Sequence, residues 1–222
     1  MKAPDRPLML ITGGGGAIAQ AVAAAFAATH WQIAAPARGE LDVRDGAAVQ
    51  RYVDRLPRVD LLVINAALRR DAPFVKLAES DWDAVMETNL RGAWLCARAV
   101  LPGMRRRGGG HIITMGSHTA RHGRSGQAAY GASKAALLAL TQSLAAEAGP
   151  DNIRVNAVLP GWIPTPFNAR VSADGHEVIR LQHHLRRFNT PEGTAAFLLA
   201  LHRLEHTSGQ IFQLDSRPGS WL

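Results

Sequence analysis

The opening of the chain constrains it most. Four consecutive apolar residues, Leu8-Met9-Leu10-Ile11, run into Thr12-Gly13-Gly14-Gly15-Gly16 and then into the alanine-rich stretch Ala17 to Phe26. An unbroken apolar run predicts a strand covered on both faces, as in a parallel sheet packed between helices. A glycine turn between such a strand and a helix N-terminus lets backbone N–H groups and the helix dipole face a pyrophosphate. Further apolar runs follow at 31–35, 59–64, 111–115, 153–159 and 210–214, separated by helix-like segments. This alternation predicts the α/β class: one doubly wound, mostly parallel sheet forming a single domain over residues 1–222.

One gap in the alternation is informative. Only residues 36–40 separate the second strand, Trp31 to Ala35, from Leu41-Asp42-Val43. A right-handed parallel crossover needs a dozen residues or more. The helix between the second strand and the usual third is therefore missing. The third strand itself is missing, stubby or replaced by a loop, which trims one sheet edge. In a dinucleotide fold an acid at the end of the second strand reads a free ribose 2′-hydroxyl, whereas an arginine accommodates a 2′-phosphate. Pro36 and Ala37 are not acids and Arg38 follows, which favours NADPH over NADH.

Further along, Gly46 to Leu56 reads as a helix, and the strand at 59–64 ends in Asn65-Ala66-Ala67, small enough for a ring or ribose to approach the backbone. A long helix is predicted from about Ser80, as N-cap, through Asn89 and Trp94 to Arg107, ended by three glycines. Asn89 is either exposed and idle, or it distorts the helix and binds water. After the strand at His111 to Met115 comes Ser117, then a loop rich in Gly, Ser and His, then a helix from about Gln127 to Ala148. This helix carries Tyr130 and Lys134, four residues apart and so on one face. A phenol is a poor acid at neutral pH, but a nearby ammonium pulls its pKa toward the working range. With the Ser117 hydroxyl beside them, these residues form a candidate proton-transfer site for a carbonyl or alcohol. Residues 166–189 lack clean periodicity and read as a mobile substrate lid; its His176, His183 and His184 read as solvated, and no metal site is expected. Pro191 to Arg203 forms the last helix.

Composition narrows the field. The chain has 222 residues, 47% hydrophobic, enough for one sizeable core. The single cysteine, Cys96, excludes an internal disulfide and fits a reducing compartment. No run reaches membrane-spanning length and no signal peptide is evident, so a cytoplasmic protein without membrane partners is expected. The net charge of +7 raises the question of nucleic acid. Its arginines are mostly scattered and its few aromatics are not interleaved with them, so a basic surface attracting an anionic cofactor or substrate is preferred.

The ordered set of motifs resembles the short-chain dehydrogenase/reductase family over nearly the whole chain. Thr12 and the glycines after it resemble the cofactor loop, Asp42-Val43 the adenine-binding pair, and Asn65-Ala66-Ala67 the Asn-Ala-Gly turn. Asn89, Ser117, Tyr130 and Lys134 match the catalytic tetrad, Pro160-Gly161 with Ile163 and Thr165 the nicotinamide-side turn, and Thr207 to Gln210 the C-terminal signature. The resemblance implies a Rossmann-type fold with NADP(H) held by Thr12, Gly13, Gly15, Gly16, Ala17, Ile18, Arg38 and the motifs just named. It implies that Tyr130 protonates the carbonyl oxygen, Ser117 holds it, Lys134 binds the ribose and lowers the Tyr130 pKa, and Asn89 positions a water. The chain departs from the pattern at Ala17 and Ala19, where the family has glycines, at Ala67, and at Asp215-Ser216, where an Asp-Gly-Gly ending is common.

Within the family, Ile112 to Ser117 and the basic loop before them are similar to beta-ketoacyl-acyl-carrier-protein reductases. Arg107 matches a basic residue those enzymes use to dock the acidic carrier, while a second docking arginine falls at Asp151. A homodimer or homotetramer is implied through the two long helices. The alternative reading is a non-catalytic NADP(H)-binding regulator or scaffold with the same fold.

Overall fold

The computed structural model describes residues 6–169 and 171–218. Six parallel strands form one sheet in the order β2-β1-β3-β4-β5-β6: β1 Leu8–Ile11, β2 Gln32–Ala34, β3 Leu61–Ile64, β4 Gly110–Met115, β5 Ile153–Leu159 and β6 Ile211–Gln213. Alternate strand residues feed opposite layers, which is why β1 and β3 read as unbroken apolar runs. Leu8, Leu10, Leu62, Ile64, Ile112 and Val155 pack with α2 (Gly46–Asp54), α4 (Gly92–Arg107) and α5 (Ala128–Ala148). Met9, Ile11, Leu61, Val63, Ile113 and Val158 pack with α1 (Ala17–Ala27) and α7 (Pro191–Arg203). Burying each such side chain contributes about 1.5–3 kcal/mol, so both layers are needed to hold the sheet. Cys96 lies in the first layer, and burial pushes its thiol up to about 12.

The trimmed edge is present. β2 is an edge strand, and the chain crosses from it to β3 through α2 alone. Residues 35–45 form a loop in place of the third strand, anchored by Leu41 and Val43, which are buried in the core. Strand order reverses between β1 and β3, so a crevice opens there at the carboxyl ends of the strands.

The long helix differs from expectation in two ways. It begins at Glu79 with Ala78 as N-cap, and Ser80 caps nothing. It also consists of α3 (Glu79–Met86) and α4 joined by one π turn, Glu87–Arg91, centred on Asn89. Within 171–189 the structure holds a helix that the weak periodicity does not predict. This is α6, Ala173–Leu181, whose Ser172 N-cap accepts from the Gly175 N–H at 3.1 Å. Of the three histidines there, His184 is exposed, but His183 is buried, with its Nδ1–H donated to the Ile179 carbonyl at 2.8 Å. His176 accepts from the Trp162 indole at 3.2 Å. Among the described residues no helix is long and apolar enough to cross a membrane, and no His, Cys, Asp or Glu group could hold a metal ion.

Candidate active site

A cavity of about 1120 Å³ opens above the carboxyl ends of β1, β3, β4 and β5. Its first wall is the glycine loop. Gly13 has φ +70, and a Cβ there would lie 3.0 Å from the Ala66 Cα. At Gly14 a Cβ would lie 2.0 Å from the Ala35 carbonyl oxygen, so only glycine lets the loop pass the end of β2. Thr12 is buried behind it. Its hydroxyl accepts from the N–H groups of Asn65 at 3.1 Å and Ala66 at 3.0 Å, while the Asn65 amide donates to the Thr12 carbonyl at 3.1 Å. These bonds lock the β1 turn to the β3 turn.

The loop leads into α1, where Gly16 is an N-cap without a side-chain bond, so no side chain competes for the first N–H groups of the helix. Gly13, Gly15, Gly16, Ala17 and Ile18 line the cavity, as do Asn65, Ala66 and Ala67 across the crevice. A Cβ at Gly15 would meet only the Ala37 methyl, at 3.9 Å, which leaves open space for a diphosphate. Of the two departures from the glycine pattern, Ala17 sits at the cavity wall and Ala19 is fully buried in the α1 layer. These residues therefore fit a dinucleotide. Arg38 lines the adenosine end and makes no hydrogen bond or ion pair among the described residues.

Asp42 and Val43 do not line the cavity. The Asp42 carboxylate accepts from the Arg44 guanidinium, with Nη2 at 2.5 Å, and from the Arg44 N–H at 3.0 Å. That partner holds its pKa down to about 2 against burial. Val43 is buried, facing Gly92 so closely that a Cβ on that glycine would lie 2.7 Å from a Val43 methyl. The short loop replacing the third strand turns Val43 toward α4 and leaves Asp42 paired with Arg44.

The other end of the cavity holds Ser117, Tyr130 and Lys134. β4 ends at Met115, and the next turn presents Ser117, whose Oγ accepts from the Thr119 N–H at 3.2 Å. One helical turn apart on α5, Tyr130 and Lys134 face the cavity from its floor. The Ser117 hydroxyl acts on the Tyr130 phenol from across the cavity end, favouring its ionised form. The Lys134 ammonium donates to the Met115 carbonyl at 2.6 Å and stands 5.9 Å from the Tyr130 ring centroid.

The expected lowering of the Tyr130 pKa by Lys134 is not what the geometry gives. Burial raises the phenol above its ordinary value, opposed by the Ser117 hydroxyl and by Arg69. Lys134 is itself driven down to about 8 by burial. Both groups are desolvated, and the ammonium is turned to a carbonyl rather than to the phenol.

Asn89 is buried and lies behind the cavity wall. Its Oδ1 accepts from the Leu68 N–H at 2.7 Å, and its Nδ2 donates to the Leu68 carbonyl at 2.9 Å and to Ser133 Oγ at 3.0 Å. It thus ties the β3 turn to the helix carrying Tyr130. Its two alternative readings resolve to a buried residue in a distorted turn.

Pro160, Gly161, Ile163 and Thr165 line the cavity after β5. Gly161 has φ +83, and a Cβ there would lie 2.6 Å from the Asp215 Cβ, so the turn depends on glycine. Asn189 fixes it by donating to the Pro160 carbonyl at 2.8 Å. The sequence did not single out the substrate-side walls. Arg69, Arg124 and Gln127 come from loops or a helix start, Phe167 and Ile179 from the segment without clean periodicity, and Arg217 from near the C-terminus. Gln127 carried a readable signal: its place three residues before Tyr130. Its amide donates to Asp71 at 3.1 Å and accepts from Thr119 at 3.2 Å.

A glycine-lined crevice at a topological switch point, opening onto a serine, a tyrosine and a lysine, defines a nicotinamide-dinucleotide oxidoreductase. The family model described as Enoyl-(Acyl carrier protein) reductase matches residues 16–216. A 3-oxoacyl-acyl-carrier-protein reductase of Synechocystis is 31% identical over 244 residues, covering 97% of this chain and 98% of the relative. Another, from Thermotoga maritima, is 37% identical over 169 residues, 75% of this chain and 69% of the relative. An acetoacetyl-CoA reductase of Synechocystis is 34% identical over 172 residues, 76% and 72% of the two chains. The chain belongs to the short-chain dehydrogenase/reductase family.

Proposed function

We propose that this protein uses NADPH to interconvert a carbonyl and a secondary alcohol, with a beta-ketoacyl thioester as the substrate type. The observation carrying this reading is that Tyr130, Ser117 and Lys134 line one end of the same cavity whose other wall is the glycine loop. The names of the relatives, two 3-oxoacyl-acyl-carrier-protein reductases and an acetoacetyl-CoA reductase, support the substrate type. When bound, the nicotinamide supplies the hydride. Tyr130 and Ser117 hold the substrate oxygen, and Tyr130 gives it a proton. Lys134 secures the ribose and the local charge, and Asn89 braces the turn and the Tyr130 helix. The glycine loop and α1 hold the diphosphate, and Arg38 receives the 2′-phosphate.

Tyr130→Phe tests this. Turnover of acetoacetyl thioesters with NADPH should fall by roughly 10²–10⁴-fold, while NADPH binding, read by cofactor fluorescence, persists. A variant retaining a tenth or more of the turnover would remove Tyr130 from the assigned role.

The protein is further read as a cytoplasmic homo-oligomer that binds neither nucleic acid nor membrane. Exposed Trp94 on α4, beside Met86, Leu90 and the partly buried Leu140 of α5, supports pairing through the long helices. Carrier docking at Arg107 has weaker support. Its Nη2 donates to the Val59 carbonyl at 2.5 Å, and Arg105 pairs with Asp151 at 2.6 Å.

A further inference from the structure

Charge accounting at the substrate end of the cavity leaves one arginine over. Three arginines line that end: Arg69, Arg124 and Arg217. Arg69 is fully engaged. Its Nε lies 3.2 Å from Asp71 Oδ2, its Nη1 donates to Asn168 Oδ1 at 2.9 Å, and its Nη2 donates to the Phe167 carbonyl at 3.1 Å. Arg217 is bound to Asp215, with Nε donating at 2.7 Å and Nη2 making a second contact. Each of these two cations therefore has its carboxylate. The Arg124 guanidinium makes no hydrogen bond or ion pair among the described residues. It lies over the Trp162 ring, 5.2 Å from the centroid.

Arg124 is exposed, but it stands at the cavity wall over an indole ring and beside two other arginines rather than on an open surface. Burial lowers its proton affinity most, followed by the charge of Arg69; Asp71 offsets part of this, and Arg217 lowers it further. A guanidinium stays charged in proteins, so such surroundings favour an anionic occupant. The indole face steadies the cation by cation–π attraction, and a guanidinium fork left without a carboxylate can grip one through two parallel bonds. The field of Arg69 reaches both Arg124 and the Tyr130 hydroxyl, which places fork and proton donor at the same end of the cavity. Trp162 belongs to the turn after β5, so a ligand gripped there lies against the nicotinamide-side wall.

We infer that Arg124 is a specificity residue that receives a carboxylate, so that the preferred carbonyl substrate is an oxo acid or an oxoacyl group keeping a free carboxylate. The inference rests on the reading of the Tyr130 cleft as the carbonyl site. Calorimetric titration tests it, using the protein saturated with NADP⁺ and two probes, 4-oxopentanoate and its methyl ester. The wild type should bind the acid at least tenfold more tightly than the ester. Arg124→Gln should bring the ratio close to one, and Arg124→Lys, which keeps charge but loses the fork, should fall between. Equal affinities in the wild type would overturn the inference. So would undetectable binding of the acid at millimolar concentration, or a preference surviving in Arg124→Gln. Circular-dichroism melts of each variant confirm that it is folded.

A parallel turnover assay separates this inference from the proposed function. If the wild type reduces the ester with NADPH but shows no acid preference, the anion site is refuted and the reductase reading stands. An Arg124-dependent acid preference without reduction of either probe supports the anion site and counts against the reductase reading.

Discussion

Replacing His111 should flatten the acid dependence of stability by an amount the structure sets. His111 is fully buried at the amino-terminal end of β4. The Asn156 amide donates to its Nε2 at 3.1 Å, so its proton sits on Nδ1 and points to His202 Nδ1 at 3.3 Å. The Asn156 orientation is fixed independently, because its Nδ2 also donates to the Thr207 carbonyl at 2.9 Å and its Oδ1 accepts from the Gln210 N–H at 3.1 Å. Burial first, then Arg154 and His202, lower the His111 pKa from 6.5 to about 2. A histidine held neutral in the folded state contributes stability that is fully present above its unfolded pKa and lost as pH falls below it. Between pH 7.5 and 5.0 the unfolded imidazole gains a proton that the folded one refuses, a cost of about 2 kcal/mol at 1.36 kcal/mol per unit. His202, lowered to about 4 and partly exposed, adds less. Asp42 does not contribute in this window, because its stabilisation is lost only below the ordinary carboxylate pKa near 3.9. Urea unfolding followed by tryptophan fluorescence at the two pH values reads the difference. Wild type should lose about 2 kcal/mol more than His111→Leu or His111→Gln over the interval, although both variants start from lower stability at pH 7.5. Equal losses in wild type and variants would refute the buried-neutral assignment.

Two further substitutions test the cofactor side. Gly14→Ala places a methyl on the Ala35 carbonyl, where only backbone movement makes room, and should cost about 2–4 kcal/mol in chemical unfolding along with weaker NADPH binding. Gly39→Ala, with nothing within 4 Å of the added Cβ, is the control and should be neutral or slightly stabilising. Arg38→Ala should lower the ratio of kcat/KM with NADPH to that with NADH at least tenfold, and an unchanged ratio would remove Arg38 from 2′-phosphate recognition.

The parts of this fold legible in the sequence are those where one-dimensional pattern and three-dimensional role coincide. β1 and β3 are apolar throughout because both faces are covered, and the glycine loop is readable because Gly14 and Gly16 serve turn and helix cap within a few residues. The missing third strand was legible by chain length alone. Ser117, Tyr130 and Lys134 were legible because their spacing follows a strand end and one helical turn. Helix α6 was missed because its apolar residues Val178 and Leu181 are exposed, so its pattern does not mark a buried face. The Asp42 pairing was missed because Arg44, two residues away, competes locally for the carboxylate in a way family patterns do not encode. Arg69 is unreadable on its own, since its partner Asn168 is 99 residues away and meets it only once the loops converge on the cavity.

The charge state of Tyr130 follows from this convergence and bears on the direction of catalysis. With its pKa raised by burial, the phenol carries its proton at neutral pH. That is the state that donates to a carbonyl oxygen, so the resting site is prepared for reduction. After donation the phenolate would sit in a desolvated cleft, favoured by the Ser117 hydroxyl and by the charge of Arg69. Oxidation of an alcohol must begin from that costly phenolate. Because Lys134 has given its proton affinity to burial and its ammonium to Met115, it does little to lower that cost in this arrangement. Raising the pH should therefore favour oxidation over reduction, with Arg69 rather than Lys134 as the cation whose removal most disfavours the phenolate in the protein alone.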